Sequence, residues 1–224
     1  MNRHMIGIWP ASLVVRSLVV LLLGACTSGG QVTTTLPAGA AQSAEAVATV
    51  VLDAITTGDA EVAAANTIEE QMVWLAMAEG ASLQEAADLL DEGAGSVAVN
   101  YWTGFTELGE VPPVAISSIV ETQVGDHTFA VVNLGGVDGL RLVLRSESEW
   151  KIDVVASFGS TLAARLADAV EVVAANSGDE AERLRAVLGD QRDSVELATA
   201  DAGLNETTRQ ALADLVESLE NMAS

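Results

Sequence analysis

Hydrophobic and polar positions change rhythm three times along the chain. A short solid apolar run comes first. Helical spacing follows to about residue 108, then strand-like alternation, then helical spacing again to the end. Residues 43–57 place Val47, Val50, Val51, Ala54 and Ile55 on one helical face, with Ser43 to cap the helix and Gly58 to end it. Asp59 is placed to cap a short helix through Asn66. In 68–79 the spacing of Met72, Leu75, Ala76 and Glu79 predicts a further helix that Gly80 terminates. Ser82-Leu83-Gln84-Glu85 has the capping-box pattern, in which Ser82 and Glu85 satisfy each other's end groups, so a helix is expected to about Glu92. Residues 96–108 predict one more, carrying Tyr101, Trp102 and Phe105. "GEVPP" at 109–113 is a stop.

From there the period shortens to two. Residues 114–123 and 127–134 read as strands joined at Gly125-Asp126, the second apolar on both faces and therefore central. A Gly-rich hairpin at 135–139 leads to 140–146, where Leu140, Leu142 and Leu144 alternate with Arg141 and Arg145. Residues 150–155 alternate again, with Trp150, Ile152 and Val154 inward. Four strands on short connections predict an antiparallel meander. Beyond Phe158 the pattern is helical: one helix from Ser160 to about Ala175, a second over 179–200 with a bend at Gly189, and a third from Asn205 with Leu212, Leu215, Val216 and Leu219 on a stripe. The expected class is α+β: N-terminal helices packed on a curved antiparallel sheet of four or more strands, with additional C-terminal helices. No internal repeat is visible.

The first apolar run has a different meaning. Arg3 and Arg16 precede it, 17–23 is apolar, and Gly24 and Ala25 are small. That is the layout of a secretory signal. The run is too short to span a bilayer, which takes about 20 apolar residues. Leu23-Gly24-Ala25-Cys26 resembles the lipobox of bacterial lipoproteins. The resemblance implies cleavage before Cys26, acyl chains on Cys26, and a chain anchored to the outer face of the cytoplasmic membrane in the cell envelope. Each buried methylene contributes ~0.8 kcal/mol, and two chains hold a protein durably on a membrane. Met5 serves as a start as well as Met1. The expected organisation is a signal peptide at 1–25, a lipidated cysteine and flexible tether at 26–42, an α+β domain at 43–157 and a helical extension at 158–224.

Charge narrows the partners. The chain of 224 residues carries 32 acidic against 10 basic side chains, a formal charge of −22. From Cys26 to Leu140 there is no Lys or Arg. Such a surface repels nucleic acid, whose phosphates need cations. Acyl chains, rather than charge, are expected to hold it on the membrane. Cys26 is the single cysteine, so no intramolecular disulfide can form.

A helical opening ending in Gly-Asp ("VVLDAITTGDAE", 50–61), then "YWTGF" (101–105), "GDHTFAVVNL" (125–134) and "EWKIDVV" (149–155) together resemble the nuclear transport factor 2-like cone over about 45–157. The resemblance implies a curled sheet with Trp150 plugging the cone from inside and Lys151 and Asp153 facing out. Tyr101, Trp102, Phe105, His127 and Phe129 would line its cavity with Trp150, for a small apolar ligand. This sequence departs from the family in having four strands where five or six are usual, and in its helical tail.

Catalytic patterns are scarce. His127 is the one histidine after the signal, so a His/Cys zinc site cannot be assembled, and no G-x-S-x-G elbow exists for a serine nucleophile. Ser148 and Lys151 match S-x-x-K, but on a strand their side chains diverge. "GAGSVA" (93–98) matches G-x-G-x-x-A but follows a helix instead of a strand. No EF-hand pattern is present, and neither a cofactor nor a metal is expected. Ketosteroid-isomerase-like members of the cone family work with a carboxylate base in an apolar pocket; Asp126, His127, Glu121, Tyr101 and Asp153 are the candidates here. Three functions remain open: a non-enzymatic binding or accessory module, a scaffold docking an envelope protein through acidic surface and C-terminal helices, and an isomerase, hydratase or hydrolase.

Overall fold

The computed structural model describes residues 42–107, 114–135 and 141–223. The chain is α+β, with helices before and after a four-stranded antiparallel sheet. Helix α1 (Ala44–Thr57) starts where the Ser43 side chain accepts the Ala46 N–H at 3.2 Å, and ends at Gly58, whose φ of +78° suits glycine. Asp59 caps α2 (Ala60–Ala65) in the same way. Helix α3 (Glu69–Ala78) is buried all round from Gln71 to Met77 instead of along the expected stripe, because helices pack on every side of it. Helix α4 (Leu83–Glu92) has both capping-box bonds between Ser82 and Glu85, and α5 (Gly95–Glu107) carries the aromatic residues.

The strands β1 (Ala115–Val124), β2 (His127–Gly135), β3 (Arg141–Ser146) and β4 (Trp150–Ile152) lie in the order β1-β2-β3-β4, all neighbours antiparallel. The fourth strand is shorter than the alternation predicts. Asp153 stops it by accepting the Ala156 N–H at 2.7 Å, which opens the 21-residue helix α6 (Val154–Ala174). Val154 therefore belongs to a helix and not to a strand. The long helix expected over 179–200 is two: α7 (Asp179–Gly189) and α8 (Arg192–Thr199), broken at Asp190-Gln191. Helix α9 (Glu206–Ala223) closes the chain. Residues 136–139 of the expected hairpin and Leu140 lie outside the described residues, as does the stop at 109–113.

Both faces of the sheet are covered. Ala130, Val132, Leu134, Leu142, Leu144 and Ile152 enter the main core with α1, α3 and α6. On the other face Phe129 and Val143 pack with Ala156 and Leu197 in a second, smaller cluster. This second cover overturns the simple alternation read for β3: Val143 is buried, and Arg145, expected outside, is 2% exposed. Leu184, Leu188, Val195, Leu212, Leu215 and Leu219 of the last three helices belong to the main core, so residues after 158 share one hydrophobic interior with those before.

The two sheet edges differ. At β4 the chain 66–68 runs alongside: Ile152 N–H donates to Asn66 O at 2.6 Å and Ile68 N–H to Ile152 O at 3.1 Å. Beyond β1, among the described residues, no strand follows.

Candidate functional site

The sheet's polar end opens into a groove of about 1040 Å³ between α2, the starts of α3 and α5, the β3–β4 connection and the end of α7. Five carboxylates line it: Glu61, Glu69, Glu70, Glu147 and Asp190. Two cations, Arg145 and Lys151, face them. Lys151 is tied down, donating from Nζ to the Ala65 carbonyl at 2.7 Å.

At the groove's base Arg145 anchors a buried polar network. Its Nη2 lies 3.2 Å from Asp190 Oδ2. Its Nε lies 2.6 Å from Glu147 Oε1, off the N–H direction, so this contact is an ion pair and not a linear hydrogen bond. Nη1 donates to Asp190 O and Gln191 Oε1, both at 3.3 Å, and reaches Ser194 Oγ at 3.5 Å. The helix break at Asp190-Gln191 brings these acceptors to the guanidinium. Gln191 Oε1 also accepts from Gln71 Nε2 at 2.9 Å, and Gln71 Oε1 accepts the Val154 and Val155 N–H groups at 2.8 and 3.3 Å. Gln71 thus satisfies free donors at the start of α6, the role a capping side chain fills. Asp153 completes the set: Ser194 Oγ donates to its Oδ2 at 2.5 Å. Burial pushes the Asp153 carboxyl above its ordinary pKa, while hydrogen bonds from Ser194, the Ala156 N–H and Gln71 and the charge of Arg145 act the other way.

A second group of charges clasps the β1–β2 turn. His127 Nδ1 is 2.9 Å from Asp193 Oδ2, and its Nε2 is 3.5 Å from Asp190 Oδ1. Asp193 Oδ2 also accepts the Asp126 N–H at 3.0 Å. Gly125 is required here twice over. Its φ is +53°, and a Cβ would collide with the Asp193 carboxylate. The turn is therefore fixed to the start of α8 by one carboxylate.

The sequence-predicted site residues fall into separate places. Tyr101, Trp102 and Phe105 cluster with Phe158, with ring centroids 5.2 to 6.4 Å from Trp102. Trp102 is fully buried and donates from Nε1 to Thr67 Oγ1 at 2.8 Å. Burial also raises the pKa of the Tyr101 phenol. His127 and Phe129 pair instead on the opposite sheet face, centroids 6.3 Å apart. Trp150 is half-buried at the end of the sheet, packed against the main core, and plugs no interior. None of these six lines the groove. Glu121 and Asp126 are exposed, and Asp153, expected to face out, is fully buried. Leu23, Gly24, Ala25 and Cys26 lie outside the described residues.

Gln71, Arg145, Gln191 and Ser194 were not singled out from the sequence. An arginine that alternates with leucines, as Arg145 and Arg141 both do in β3, carries no mark of the helix that covers it. Asp153 before "VVA" did carry a helix-start signal. Strand alternation from Trp150 obscured it.

Chemically, the arrangement ties elements together. Ser194 Oγ is committed to Asp153, and both His127 contacts go to carboxylates. The groove offers excess negative charge with no histidine in its lining. Among the described residues no group of three or more His, Cys, Asp or Glu side chains could hold a metal, and no helix is long and apolar enough to cross a membrane. No protein-family model matches the chain, and neither a curated protein nor a solved structure matches it.

Proposed function

We propose that the chain is an exported bacterial lipoprotein, held at the outer face of the cytoplasmic membrane by acyl chains on Cys26, whose folded body serves as a non-enzymatic binding or accessory module of the cell envelope. One observation carries the reading: Leu23-Gly24-Ala25-Cys26 closes a short apolar run that follows Arg16 and holds the chain's single cysteine. Residues 27–41 ("TSGGQVTTTLPAGAA") have the Gly/Thr/Pro composition of a spacer between anchor and body. The likeness to the nuclear transport factor 2-like cone enters the proposal through element order, helices before a meander, and gives the body a carrier or docking role. The groove supports binding by its size and its excess of carboxylates over cations.

The test is Cys26→Ala expressed in a bacterial host that processes lipoproteins. The expected result is loss of acylation, read by mass spectrometry, with the protein released from membranes or left as uncleaved precursor. A mature, membrane-bound Cys26→Ala protein would overturn the anchor. Native mass spectrometry of the wild-type body addresses the module: a reproducible extra mass supports a bound ligand, and a clean mass directs the search to a protein partner.

A further inference from the structure

Among the described residues the sheet has no strand beyond β1. Strand β1 is ten residues long. Proteins usually blunt such an edge with Lys, Pro, short length or a bulge, because its unpaired N–H and C=O groups template further pairing. Here the strand contains neither Lys nor Pro, and Glu121 is its one charge. The irregularity between Ile116 and Ser118 affects only its first third. Residues 119–124 stay in regular register with β2, from Ile119↔Val132 to Val124↔His127.

An apolar row leads out to that edge. Val143 pairs with Val131, and Val131 with Val120, so three valines stand side by side on one face. Val143 is fully buried under α8, Val131 is half-buried, and Val120 is 55% exposed. Cover runs out before the row does. At the opposite edge the chain 66–68 supplies main-chain partners to β4. The same supply is missing beyond β1 among the described residues.

Charge selects the occupant. A second copy would bring two chains of formal charge −22 together along edges that both lack cations. Val120 and Glu121 point to opposite faces of the strand. An added strand with β-branched apolar residues beside Val120 and Lys or Arg beside Glu121 continues the valine row and answers the acidic charge at once. We propose that β1 is a strand-addition site for an extended basic segment of a partner protein, recognised by main-chain pairing with residues 119–124 and by alternating apolar and cationic side chains. This site is separate from the groove and does not depend on the lipid anchor.

The probe is a nonapeptide alternating Val and Lys, added to the full chain in detergent micelles and followed by titration and residue-resolved amide hydrogen exchange. The expected result is saturable binding with new protection confined to 119–124. A peptide of the same composition with a scrambled order and a peptide alternating Val and Glu should each bind at least tenfold more weakly. Val120→Lys, a change at an exposed position, should weaken binding at least tenfold while leaving the melting temperature unchanged. Equal binding of the scrambled peptide would overturn the proposal by showing attraction to net charge alone. Protection appearing in the groove would likewise overturn it. So would protection, before any peptide is added, of those amides of 119–124 that point away from β2: with a monomeric mass it would show that a segment of the same chain covers the edge, and with a dimeric mass that a second copy does.

Discussion

The two faces of the sheet are buried by different means. One face joins a large apolar core through Leu142, Leu144, Val132 and Ile152. The other has a cluster of four buried apolar residues, Phe129, Val143, Ala156 and Leu197, and beside it a hydrogen-bonded web around Arg145. Apolar burial is non-directional and tolerates many partners. A buried guanidinium with fixed acceptors tolerates few, because each displaced acceptor leaves an unsatisfied group. The apolar face therefore supplies most of the cohesion, and the polar face fixes where α7, α8 and the start of α6 must sit.

Neighbouring residues on β3 sharpen this contrast best. Leu144→Ala removes a fully buried side chain from the main core and is expected to cost about 3 kcal/mol in denaturant unfolding. Across the sheet, Arg145→Met is expected to cost about 1 kcal/mol or less, since Met fills the space and the half-exposed Glu147 and Asp190 rehydrate. Removing the counter-charges instead, with Glu147→Gln and Asp190→Asn together, strands the buried cation and is expected to cost about 3 kcal/mol. If Arg145→Met destabilises as much as Leu144→Ala, the division of roles between the faces is wrong.

Asp153 comes next. Asp153→Ala removes the α6 cap and one Ser194 partner, with an expected loss of about 2 kcal/mol. Asp153→Asn keeps a capping oxygen and should lose less. The pH dependence has a definite sign. The folded-state pKa of Asp153 is raised, so the folded protein holds the proton more tightly than the unfolded chain. Its contribution is fully present below the unfolded Asp pKa of about 3.9 and is lost as pH rises through the folded value. Asp153→Asn has no such loss. Its stability relative to wild type should therefore improve as pH rises above about 4 and level off beyond the folded pKa. A difference that stays flat across that range would place the Asp153 carboxyl in an ordinary environment.

A small effect is also expected at the β1–β2 turn. Gly125→Ala forces a side chain into a left-handed conformation and against Asp193, at a cost of about 1 kcal/mol. Removing the obstacle should recover part of that loss, so the double variant with Asp193→Ala should be less than additive with the two single changes. Strict additivity would mean that the turn and α8 are not coupled through this carboxylate.

How much of this was legible differs by element. Caps were legible: Ser43, Asp59 and the Ser82–Glu85 pair act within four residues of chain, where sequence distance and spatial distance coincide. The meander was legible because a two-residue period between short turns leaves few other pairings. Strand β4 was over-extended, because Val154 and Val155 suit either a strand or a helix and the Asp153 cap decides between them. The candidate cavity residues were grouped by type, and the fold separated them: His127 and Phe129 lie across the sheet from the Trp102 cluster.

By itself the sequence determined the α+β class, the starts of α1, α2 and α4, the succession of four strands and the acidic charge, all of which follow from local spacing and composition. It also contains the Cys26 pattern on which the anchoring proposal rests. Tertiary structure decided that both sheet faces are covered, that Arg145 and Asp153 lie inside, and that the edge at β4 is closed while β1 has no following strand among the described residues. Those outcomes depend on contacts between residues such as Gln71 and Gln191, 120 positions apart. No local period encodes which surface a distant helix will cover.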